Sequence, residues 1–169
     1  MLSDKMTKEL NNQIQFELYS GHLYVSLAAH CASLDLDGFS NFFIVQEQEE
    51  RFHAMKIFNY IKDQGNDIKI YGLDDPKKEF KDLEEVITFA WHHEQSVTKR
   101  FNDLMEIAVK EKDFATQNFL QWFINEQVEE EATLLTLLKK IKLVAGQGHG
   151  ILMLDNELAA RQFTPPVAE

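Results

Sequence analysis

Four long blocks, Ser3 to Ser33, Phe39 to Gln64, Leu83 to about Lys110 and Phe114 to Val144, hold between them one glycine, Gly21, and no proline. Glycine and proline are the residues that most readily end a helix, and here they cluster between the blocks, as at Gly65, Gly72 and Pro76. Each block carries apolar residues at alternating spacings of three and four, the pattern of a helix that buries one stripe. In the second block the stripe reads Phe39, Phe43, Gln46, Glu50, His53, Ile57, Tyr60. Strand signals are weak and no internal repeat is visible, so the sequence predicts an all-α chain of four helices forming one domain, residues 1–169. The bundle should occupy about residues 3–145. A short fifth helix is predicted over about 151–160.

Every stripe is interrupted near its middle by ionisable groups: Glu17 in the first block, Glu50 and His53 in the second, Glu94 in the third, Glu130 in the fourth. A single glutamate on such a stripe is ordinarily a boundary residue reaching water, and a lone Glu-x-x-His is common on helices. Four carboxylates at matching heights are a different matter, because each costs several kcal/mol to bury without a partner. No Lys or Arg lies on any of the four stripes. With His53 neutral, two divalent cations would bring the four negative charges to zero. Oxygen ligands with one imidazole suit iron or manganese better than the thiolate-rich sets of structural zinc. His92 and His93 flank Glu94 but fall off its stripe, which makes them surface or supporting residues.

A Glu from each of two helices, with Glu-x-x-His pairs from the others, is the ligand pattern of ferritin-like di-iron bundles. "IQFELYSGHLYVSLA", "EQEERFHAMKIFNYI" and "NEQVEEE" resemble the corresponding helices of the bacterial non-haem ferritins, over nearly the whole chain. Gln127-x-x-Glu130 stands where bacterioferritins and rubrerythrins have a second Glu-x-x-His, and Phe52 stands where the bacterioferritin pattern has its haem-ligating Met. No haem is therefore expected, and the single Cys31 cannot supply a rubredoxin-like segment.

The resemblance implies an iron-storage protein of iron homeostasis, with ferroxidase (oxidoreductase) activity: two Fe(II) oxidised by O2 or peroxide and stored as a ferric mineral. It implies that Glu17, Glu50 and His53 hold one iron, Glu94 and Glu130 a second, with Glu50 bridging. Gln127 would hydrogen-bond the bound oxygen species or water, and Tyr24 would stand beside the site. It further implies a third iron site at Glu49, Glu126 and Glu129, assisted by Glu130, and a homo-oligomeric shell of 24 subunits. Two other readings of the same residues remain open: a di-iron enzyme that reduces peroxide without storing iron, and a scaffold whose acids are simply protonated or wet.

The topology can be tested by reach. Gly65 to Asp82 is a connection of about 18 residues, able to span about 59 Å at roughly 3.3 Å per residue. The second helix, at 1.5 Å per residue, is about 39 Å long. The connection can cross the whole bundle and return the third helix parallel to the second, giving a ferritin-like four-helix bundle with one long crossover. "DLEE" at Asp82 to Glu85 reads as the capping signal of the third helix. "GQGHG" at Gly146 to Gly150 reads as a turn, since it follows a helix and lacks a strand. Ile151, Leu154 and Leu158 form an apolar stripe that partner chains are expected to cover.

Composition narrows the partners. Seventeen Lys and Arg against 28 Asp and Glu give a net charge of −11, unsuited to nucleic acid but suited to a cavity where ferric mineral nucleates. No apolar run approaches the roughly 18 residues of a membrane span, and no charged stretch followed by an apolar one opens the chain, so a cytoplasmic location is expected. Animal ferritins line three-fold pores with acids near the start of the fourth helix; here "DFATQNFL", with Gln117 and Leu120, departs from that route.

Overall fold

The computed structural model describes residues 1–144 and 147–165. Five helices follow in order: α1 (Asp4–Ser33), α2 (Asp37–Asp63), α3 (Leu83–Glu111), α4 (Phe114–Leu143) and α5 (Gly148–Ala159). Side chains satisfy the free amides at three starts. Ser3 Oγ accepts from Met6 N, Asp82 Oδ1 from Glu85 N, and Asp113 Oδ1 from Thr116 N. Glu85 completes only part of the expected box, because its carboxylate accepts from the amide of Lys81 at 2.7 Å. At the end of α2, Gly65 takes φ +73°, a left-handed conformation that costs glycine little and lets the chain turn away.

The pairings fix the directions. Tyr24 stacks on Phe43 while Leu2 meets Asn66, so α1 and α2 are antiparallel. Gln127 reaches Glu94 and Gln117 reaches Ala108, so α3 and α4 are too. Arg100 contacts Gln13 and His93 contacts Ser20, which sets α1 antiparallel to α3. It follows that α2 and α3 are parallel, as the long connection requires. That connection retraces α1: Asn11 holds Asp67 and Lys69, Gln15 holds Gly72, Ser26 holds Lys77, and His30 packs on Phe80.

The buried apolar residues form two separate clusters. One gathers the C-terminal half of α1 with Phe39, Phe42, Phe43, Val86, Ala90 and Leu134. The other gathers Leu10, Ile14, Ile57, Phe101, Leu120 and Phe123 at the opposite end. Between them lies the layer of Glu17, Glu50, His53, Glu94 and Gln127. Leu120 is wholly buried in the second cluster, and Gln117 Nε2 donates to the carbonyl of Ala108. Core packing and a helix-end contact therefore account for the two residues that depart from the acidic pore pattern.

One expectation about the C-terminal segment is corrected. Gly148 and Gly150 lie inside α5 rather than in a turn; Gly146 lies outside the described residues. The stripe of Ile151, Leu154 and Leu158 packs onto the first cluster of the same chain, with Leu154 buried and Ile151 and Leu158 partly buried. Gly38 makes this approach possible: a Cβ there would fall 1.7 Å from the carbonyl oxygen of Asp155. The side chain of Asp155 in turn accepts from Phe39 N at 3.0 Å.

Asn11 is the buried clamp of the crossover, accepting from Lys69 N at 2.6 Å and donating to Asp67 O at 3.0 Å. Asn11→Ala removes both bonds and should lower stability by about 1–3 kcal/mol. Urea unfolding checks this; an unchanged midpoint would show that the crossover needs no such anchor.

Candidate metal centre

Each residue of the central layer arrives from a helix whose stripe would otherwise be apolar. Glu17, Glu50 and Glu94 have no exposed surface, and His53 and Gln127 show 2% and 1%. The chain thus brings together six of the predicted residues, since Glu130 lies in the same layer with a side chain 9% exposed. His53 Nδ1 stands 3.9 Å from Glu17 Oε2 and 3.7 Å from Glu50 Oε2, and its Nε2 stands 4.0 Å from Glu130 Oε1. These separations are too long for hydrogen bonds. The two at Nδ1 are short enough for Glu17, Glu50 and His53 to share one cation, whereas Nε2 lies on the far side of the ring from it.

The polar atoms left over make the same point. Glu17 Oε2, both oxygens of Glu50, His53 Nδ1 and Glu130 Oε2 are buried without a hydrogen-bond partner among the described residues. Buried polar atoms are nearly always paired, and five orphans in one layer are a set of donors arranged for something other than protein. Two groups of ligand atoms lie within 4.8 Å of one another: Glu17, Glu50 and His53, and Glu50, Glu94 and Glu130. Glu50 belongs to both. The donor set is carboxylate with one imidazole, which fits two hard divalent cations.

Burial governs the protonation of this layer. It holds the carboxyls of Glu17 and Glu130 well above the usual range, Glu17 further raised by the charge of Glu50, and Glu130 by those of Glu94 and Glu50. Burial likewise pushes Glu50 and Glu94 up to about 7. It lowers His53, which stays neutral and able to bind a cation.

The surroundings orient the ligands. Tyr24, fully buried, donates its hydroxyl to Glu94 Oε1. Gln127 Nε2 donates to Glu94 Oε2 at 2.9 Å, so in this structure it steadies a carboxylate. Trp122 stands edge-on to His53 with centroids 5.5 Å apart. His93 is the supporting residue its off-stripe position foretold, bonded to Ser20 Oγ at 2.8 Å, while His92 is exposed. Burial lowers His93 to about 4.

Sequence reasoning missed Gln13 and Arg100. Gln13 Nε2 donates to Glu17 Oε1 at 2.6 Å, and Arg100 Nε donates to Gln13 Oε1 at 2.8 Å. The available signals were Gln13 one turn before Glu17 and Arg100 one position before the stripe residue Phe101. The acids of the expected third site are arranged differently. Glu49 is half-buried and held by Arg161, Glu126 is half-buried, and Glu129 is exposed. Among the described residues these three do not form a group of ligand atoms like the two above. The Glu49 carboxylate accepts instead from Arg161 Nη2, at 3.1 and 2.9 Å.

Residues 7–144 match the Ferritin-like domain. The chain is 42% identical to the bacterial non-heme ferritin of Staphylococcus haemolyticus, over 96% of this chain and 98% of that one. To its counterpart in Staphylococcus aureus strain USA300 it is 40% identical, with the same coverage. The chain belongs to the ferritin family. Among solved structures, an Archaeoglobus fulgidus ferritin engineered to a closed form superposes with a TM-score of 0.96 at 45% identity, covering 97% of this chain and 100% of that one. The open pore ferritin of Archaeoglobus fulgidus superposes with a TM-score of 0.94 at 45% identity, covering 95% and 98%. The function of this ferritin is iron storage with ferroxidase activity, and its carboxylate and histidine groups could form a di-iron site. No helix of the described residues is long and apolar enough to cross a membrane.

The raised carboxyls give a sign for pH. Near pH 6 the metal-free layer carries protons that an entering cation must displace, so binding should release protons and tighten from about pH 6 to about pH 8. For the same reason the stability this layer contributes without metal is fullest below the ordinary carboxyl pKa and is lost as pH rises through about 7. Calorimetry of anaerobic Fe(II) binding in buffers of different ionisation enthalpy measures the proton release. PH-independent binding without proton release would contradict this account.

Proposed function

We propose that this ferritin oxidises two Fe(II) per subunit at the central layer, with Glu17, Glu50 and His53 taking one, Glu94 and Glu130 the other, and Glu50 bridging. The observation that carries this reading is the convergence of five partnerless ligand atoms in a core that is otherwise apolar. Iron is the substrate here. Each Fe(II) gives one electron to O2, which leaves with two protons as peroxide, and the hard oxygen ligands favour the ferric product. Glu94 is held for this task by Tyr24 and Gln127, and Glu17 by Gln13.

The finer readings rest on family resemblance with support from the surface. A third iron binds at Glu49, Glu126 and Glu129, assisted by Glu130, on the way to the mineral. The protein works in the cytoplasm as a homo-oligomer of 24 subunits. Exposed apolar residues such as Leu143, Phe114 and Met153, at 84%, 75% and 73%, favour association.

Glu50→Ala should slow initial Fe(II) oxidation by at least about tenfold, since loss of a ligand disturbs both cations. The fold should survive, because removing one of several crowded buried acids relieves repulsion. Stopped-flow absorbance with a thermal melt tests both points, and an undiminished rate would remove the assignment. Replacing Glu49, Glu126 and Glu129 together by Gln should leave the paired oxidation intact but change the iron consumed per O2. An oxygen-electrode titration identical to the parent's would reduce those acids to a hydrated face.

A further inference from the structure

Past α5 the chain lies along α2 as a short strap. Asn41 Nδ2 donates to the carbonyls of Leu158 and Arg161, at 3.1 and 3.0 Å. Two residues on, the ring of Phe163 meets Phe52 at 6.2 Å, and Phe52 contacts both Trp122 and His53. The strap is therefore fixed at both ends, on α2, beside the metal centre. From the first of these anchors the Arg161 side chain reaches the acid next to a site ligand: Nη2 donates to Glu49 Oε1 at 3.1 Å and Oε2 at 2.9 Å. Its guanidinium sits 4.5 Å over the ring of Phe42, and the pair is only about a quarter exposed, at 26% and 25%.

A fixed guanidinium on Glu49 has a direct consequence. A metal cation needs the carboxylate oxygens at about 2.1 Å and supplies the same positive charge, so one carboxylate does not serve both fully. We infer that Arg161 is a tethered counter-cation that competes with an incoming metal ion for Glu49, so that its guanidinium leaves Glu49 and the strap after α5 loosens when that ion binds. The inference rests on the reading of Glu49 as a ligand of a third cation. Arg161 does not touch the paired site; it sets how tightly the outer cation is held and couples its occupancy to the position of the strap.

The test is an anaerobic Fe(II) titration of the intact assembled protein by calorimetry, comparing the parent with Arg161→Gln, Arg161→Lys and Glu49→Gln. Hydrogen exchange of residues 158–165 is followed at each equivalent. Arg161→Gln should tighten the third binding step by about tenfold and leave the first two unchanged, because the competitor is gone. Arg161→Lys, which keeps the charge but not the two-pronged contact, should fall between. In the parent, exchange in the strap should rise with the third equivalent and not with the first two. A third step of parental affinity in Arg161→Gln, with that step lost in Glu49→Gln, would overturn the competition while sparing the third site. A third step that survives in Glu49→Gln would overturn both.

Discussion

Four glutamates and one histidine buried at a single height in a helical core set the terms for the rest of this molecule. The layer divides the apolar interior into two clusters, one on each side, and neither cluster bridges it. An arrangement so costly in metal-free form persists because the two clusters and the long helices over-determine the backbone around it. Helices of 27 to 30 residues run past the layer for several turns in both directions, so the packing that holds the ligands lies well away from them. The crossover serves the same end. By clamping to Asn11, Gln15 and Ser26 it fixes α3 parallel to α2, which is what places Glu94 opposite Glu50 rather than a bundle length away.

The central layer was legible in the sequence because helical periodicity is a strong rule and ionisable residues on an apolar stripe violate it. Glu17, Glu50, His53, Glu94, Gln127 and Glu130 could each be read off one helix at a time, and the shared height followed from each lying near the middle of its stripe. One helix start was equally clear, with Asp82 acting as the capping residue the sequence signals, while the caps at Ser3 and Asp113 emerge only from the structure. What periodicity cannot carry is contact between elements distant in sequence. Arg100 reaches Gln13 across 87 residues, and Arg161 reaches Glu49 across 112. Neither cation lies on a stripe. The destination of α5 was likewise hidden: its apolar face called for a cover, but only the space left beside Gly38 decides that the cover is α2 of the same chain.

The division between inner and outer acids follows from their partners. Inside, among the described residues, no lysine or arginine makes a salt bridge to the layer, and several of its ligand atoms have no hydrogen-bond partner. Outside, Glu49 has a basic residue of its own, and Glu129 has water. Neighbouring positions in the sequence, Glu49 beside Glu50 and Glu129 beside Glu130, therefore place one carboxylate among the buried ligand atoms and the other toward the surface. This gradient suits a protein that must capture iron, oxidise it and then pass it on.

Anomalous diffraction from crystals grown without oxygen and soaked in Fe(II) would test the central claim most directly. The account predicts two iron peaks a few Å apart inside each subunit, one against Glu17, Glu50 and His53 and the other against Glu50, Glu94 and Glu130. A single peak, or iron found only on exposed acids while the central layer keeps its present hydrogen bonds, would contradict it.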